Sequence, residues 1–117
     1  MAAQAQNANL KKSVEDGIKT SIQQTENREW KEAFATCRAL DSMIALEEQK
    51  SKKATPELHY LVSKERLRMY MRLNNAEQSK LQIEKLEDFA ERAKQDEVSE
   101  DLLMTKAGYY QKFGMND

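Results

Sequence analysis

The chain has 117 residues, room for one domain with a modest core. Its 19 basic and 20 acidic residues leave no basic field to hold nucleic acid and no acidic tail. A single cysteine, Cys37, excludes an internal disulfide and a cysteine-rich zinc site, and no stretch is apolar enough for a signal peptide or a membrane span. The expected setting is therefore a reducing one, cytoplasmic or nuclear, with no membrane contact. One proline and three glycines in a chain rich in Ala, Leu, Glu, Lys and Gln argue for long helices. All-α is the expected class.

Residues 1–7 are small and polar and are expected to be disordered, with a single helical domain over residues 8–117. Leu10, Val14, Ile18 and Ile22 make one stripe of a first helix, in which Gly17 costs about 1 kcal/mol unless a neighbouring helix needs the close approach. Asn27 is placed to cap a second helix, Glu29 to Gln49, whose apolar face runs through Trp30, Ala33, Phe34, Cys37, Leu40 and Ile44. "KSKKA" is a polar loop, and "TPE" opens a third helix with Thr55 as cap and Pro56 at its first position. That helix, to about Leu73, has apolar residues on more than one face, as expected of a helix contacted from two sides. Asn74 and Asn75 break it. A fourth helix follows from Ala76 to about Lys94, with Ser79, Ile83, Leu86 and Ala90 in steps of three and four. "QDEVSED" reads as the next break, with Ser99 capping a fifth helix from Glu100 to Phe113 and Gly114 closing it.

The helices contain an internal echo. Trp30, Ala33, Cys37 and Leu40 have the same internal spacing as Ala76, Ser79, Ile83 and Leu86, and Tyr70 precedes Asn74 as Tyr110 precedes Gly114. The stretch "EWKEAFATCRAL" resembles the second helix of a tetratricopeptide (TPR) repeat, with Leu40 where that family prefers a small residue. "AGYYQKFGMND" looks like the end of a repeat's first helix and the turn after it. The copies are farther apart than the family's usual period. In this they are similar to the long, degenerate hairpins that precede the PCI domain in proteasome lid and signalosome scaffolds. The resemblance implies antiparallel hairpins stacked as a short right-handed TPR-like solenoid of about five helices, acting as a scaffold or adaptor. A self-contained bundle that dimerises is the alternative.

Few residues are placed to do covalent chemistry. His59 is the only histidine, so a histidine-based triad or a His-rich metal site cannot be built in one chain. Cys37 lies on an apolar stripe, where a thiol behaves as a small hydrophobe. The carboxylates sit among lysines and arginines on polar faces, and the glycines are isolated. No catalytic residue, metal or cofactor is expected, and an enzyme with helix-borne carboxylates is the least favoured class. Two features suit protein binding instead. Lys64, Arg68 and Arg72 align along the third helix, facing the expected groove as a site for an acidic peptide, unless Glu65 and the acidic neighbouring helices neutralise them. Leu102, Leu103, Met104, Ala107, Tyr109, Tyr110, Phe113 and Met115 exceed what one neighbouring hairpin can cover, so Leu103, Tyr109, Tyr110 and Phe113 are expected to dock on another chain, either a larger helical-repeat subunit or a second copy.

Overall fold

The structure, a computed structural model, describes the backbone of residues 2–114 and the side chains of residues 8–114. The segment expected to be disordered, residues 1–7, and the tail after Gly114 lie outside the residues described in full. Five helices account for the described chain: α1 (Ala2–Glu26), α2 (Trp30–Ser51), α3 (Pro56–Arg72), α4 (Ala76–Ala93) and α5 (Asp96–Phe113). No helix among the described residues is long and apolar enough to cross a membrane.

Each helix ends through one left-handed residue: Arg28, Lys52, Asn74, Lys94 and Gly114. Asn74 and Gly114 are the residue types that accept this conformation readily, whereas the Arg and Lys positions cost about 1–2 kcal/mol each. Such one-residue reversals keep the connections short. The break expected across "QDEVSED" shrinks accordingly. Lys94 makes the turn, α5 begins at Asp96, and Ser99 is an interior helix residue rather than a cap. Asp96 and Glu97 then sit in the first turn, where the helix dipole favours carboxylates. Asn27 does not cap α2, which starts after Glu29 with no side-chain cap. Thr55 does precede α3, but its hydroxyl donates away from the helix, to Glu48.

Side-chain pairs fix the directions of the helices. Thr36 bonds Gln24 beside the α1–α2 connection, whereas Leu10 and Ser13 share a cavity with Met43 and Glu47 at the far end, so α1 and α2 are antiparallel. Glu48 with His59, Asp41 with Arg66, and Phe34 with Tyr70 run the same way for α2 and α3. His59 stacks on Phe89 across α3 and α4. Between odd-numbered helices the sense is parallel: Ser21 and Thr25 of α1 bond Glu65 and Arg68 of α3 in order. Helix α3 packs against all four others, α1 touches α2 and α3, and α5 touches α3 and α4. Helices α2 and α4 do not pack on each other.

Two cores result, and α3 belongs to both. Leu58, Val62 and Met69 join Val14, Ala33, Cys37, Leu40 and Ile44 on one side, while Tyr60 and Leu67 join Ile83, Leu86, Ala90 and Tyr109 on the other. This is the two-sided burial expected of the third helix. Each fully buried aliphatic side chain contributes about 1.5–3 kcal/mol. Gly17 has the reason its position demanded, since a Cβ there would come within 2.5 Å of Leu40 Cδ2. The repeated spacing of α2 and α4 is also a burial pattern, with Ala33, Cys37 and Leu40 buried like Ser79, Ile83 and Leu86.

Candidate protein-interaction surfaces

The three odd-numbered helices ending before Arg28, Asn74 and Gly114 share a register. Counted back from those residues, Ile18, Lys64 and Met104 hold one common position, and Ile22, Arg68 and Gly108 hold another. All six line a groove of about 440 Å³ floored by α3 and walled by α1 and α5. Leu61, Leu67 and Met71 complete its apolar floor. Past Leu61 and Lys64 the groove continues towards the start of α3, lined there by Glu57, Gln95 and Asp101.

The three cations expected to align as a basic stripe, unless acidic neighbours neutralised them, are each engaged. Lys64 Nζ donates to Asp101 Oδ1 at 2.7 Å, joining α3 to α5. Arg68 grips Glu65 with two bonds of 2.7 Å each and donates to Thr25 Oγ1 at 2.9 Å, joining α3 to α1. The guanidinium of Arg72, exposed at the end of α3, lies 5.8 Å from the Trp30 ring centroid of α2. Lys64 and Arg68 therefore line the groove but bring no uncompensated charge to it.

Both anionic partners are built into the structure. Glu65 is only 4% exposed and also accepts from Ser21 Oγ at 2.7 Å, and Arg68 is the cation paired with it. Asp101 accepts from Tyr60 at 2.6 Å as well as from Lys64. Burial works to raise the Asp101 carboxyl, but the bonds from Lys64 and Tyr60 outweigh it and hold the group below the usual carboxylate range. The Tyr60 hydroxyl is displaced upward, by burial first and by the neighbouring carboxylate second.

Helix α5 divides the four residues expected to form its interface. Tyr109 is 2% exposed inside the second core, in contact with the rings of Tyr110 and Phe113, which are themselves half-buried against that core. Leu103 points away and is 69% exposed, beside Met104 at 76%. Met104, counted in the sequence among the apolar residues of this helix, also lines the groove. Tyr60 and Asp101, which tie α3 to α5, were missed.

The remaining candidates for chemistry are occupied structurally. Burial pushes the Cys37 thiol up to about 11, so it is not a thiolate at neutral pH. His59 Nε2 lies 2.9 Å from Glu48 Oε1, and Glu48 Oε2 accepts from the Thr55 amide at 2.6 Å. The Glu48 carboxylate thus anchors the start of α3. Among the described residues no three His, Cys, Asp or Glu side chains converge as a metal site would require.

Comparison of the chain with protein-family models, curated proteins and solved structures gave no match.

Proposed function

We propose that this chain is a non-catalytic interaction module, a short TPR-like array of helical hairpins that assembles with other proteins. The observation that carries the reading is the shared register of the groove. Three parallel helices present equivalent positions to one concavity, as stacked copies of one unit do. The absence of packing between α2 and α4 supports stacking over a closed bundle, in which alternate helices would share one core.

The groove suits the apolar side of a partner helix. Its charged side chains already satisfy one another, so an extended peptide would find few free groups for its own N–H and C=O. A helix brings those bonds with it. Met71 and Met104, flexible and polarisable, can adapt to the side chains it presents. An acidic peptide is the weaker fit. The partner is a larger helical-repeat subunit or a second copy of the chain. The exposure of Leu103 and Met104 also suits dimerisation.

Affinity purification with the wild-type chain and an Ile18→Glu/Met71→Glu variant tests this reading. The variant should keep its helical circular dichroism and lose the partner. Partner recovery unchanged by that pair of substitutions and by Leu103→Asp would overturn it. A concentration-dependent dimer in sedimentation, abolished by Leu103→Asp, would favour the dimeric bundle.

A further inference from the structure

The register that aligns the groove also aligns a second stripe. Leu10, Val14, Gly17 and Ser21 in α1 correspond to Pro56, Tyr60, Ser63 and Leu67 in α3, and to Asp96, Glu100, Leu103 and Ala107 in α5. In α3 all four are buried, and in α1 three are buried while Gly17 lies beneath Leu40 of α2. In α5 all four are exposed. In the first two cases this stripe packs against the helices that come next in the chain. Val14 packs in the core that contains α2, Tyr60 and Leu67 pack in the core that contains α4 and α5, and Ser21 bonds across to α3. On α5 nothing among the described residues covers it.

The chemistry of the bare stripe defines what fits. Its second half is apolar or small, Leu103 and Ala107, flanked by Met104. Its first half is acidic, Asp96 and Glu100, with Glu97 beside them. A helix laid on α5 in the sense that α2 has on α1 runs antiparallel to it. Its N-terminal half then meets Leu103 and Ala107, and its C-terminal half meets the carboxylates.

We infer that this face of α5 docks a helix from a partner protein, apolar in its first turns and carrying lysine or arginine two to three turns later. The inference rests on the interaction-module reading above and names the partner's chemistry at one of its surfaces. The spacing required of the apolar half is that of α2 and α4, a small residue followed four and seven positions later by apolar ones. The basic half faces the acidic start of α5, and its cations also sit at their own helix C-terminus, where the dipole favours them.

The test uses the full chain and two synthetic peptides copying Ala76–Ala93. In one, Ala90→Lys and Ala93→Lys place the cations on the same stripe just after the triplet Ser79, Ile83 and Leu86. In the other, both become Glu. Followed by amide NMR, the lysine peptide should shift resonances along residues 96–108 and bind about tenfold more tightly than the glutamate peptide. Leu103→Asp in the chain should abolish binding. Glu100→Lys should reverse the preference between peptides. Equal binding of the two peptides, no binding of the lysine peptide, shifts confined to the groove, or a self-dimer already covering Leu103 would each overturn the inference. If the peptides fail while Ile18→Glu/Met71→Glu still releases a partner, this inference alone fails. If the groove substitutions are also without effect, the interaction reading fails with it.

Discussion

Helices α3 and α5 occupy equivalent places in the fold but have different surroundings. The stripe that reads Pro56, Tyr60, Ser63 and Leu67 is enclosed on α3, whereas Asp96, Glu100, Leu103 and Ala107 are bare on α5. Composition follows the surroundings in the first turns, where α3 has an aromatic ring and α5 has carboxylates. Farther along it does not, since Leu103 is as apolar as Leu67 and yet is 69% exposed against 2%. Apolar residue type thus coincides with burial on α3, whereas on α5 none of the described residues covers Leu103.

The sharpest way to break this comparison is within α5 itself. Tyr109→Ala removes a ring from the second core and should cost about 3–5 kcal/mol in denaturant unfolding. Leu103→Asp should leave unfolding nearly unchanged. If the two substitutions cost the same, the assignment of one to the core and the other to the surface is wrong.

Arg68→Ala comes next, at about 3 kcal/mol, because it leaves the buried Glu65 carboxylate without its cation. Arg68→Ala/Glu65→Gln should recover part of that loss. Charge reversal at Arg68 is therefore a poor probe of the groove, since it strikes the α1–α3 junction first. The glycines make a pair of opposite sign. Gly17→Leu should destabilise by about 2 kcal/mol by forcing Leu40 aside. Gly108→Ala, with nothing within 4 Å of the added carbon, should stabilise by about 1 kcal/mol.

The smallest effect is one of pH. Burial works to raise the Glu48 carboxyl, but the bonds from His59 and Thr55 outweigh it and lower the group in the folded chain. A carboxyl lowered on folding contributes stability that is complete above the ordinary glutamate range and is lost as pH falls through the depressed value. Unfolding followed across that acid range should be less pH-dependent in Glu48→Gln than in the parent. An unchanged slope would remove Glu48 from the account.

Much of the fold was legible in the sequence because apolar steps of three and four are a direct consequence of helical geometry. Asn74 and Gly114 were legible as helix ends because those residues accept left-handed backbone. The fourth helix was also placed to end at about Lys94, but nothing in the side chains of Arg28, Lys52 and Lys94 signals that the backbone reverses within one residue there. The start of α5 was misplaced for that reason, since a turn of several residues after Lys94 left Ser99 looking like the cap. The ties from Tyr60 and Lys64 to Asp101 bring together residues on separate helices, and no local pattern announces them. Tyr109 and Leu103 were grouped together since both are large and apolar. Only the direction each takes from α5 separates them.

Lysine-reactive footprinting of the chain bound to its purified partner would show whether the groove is where the partner sits. Lys11 and Lys64, which line the groove and its continuation, should be protected, while Lys85 beside the α3–α4 cavity on the other side remains reactive. Protection of Lys85 with Lys11 and Lys64 unchanged would contradict that placement.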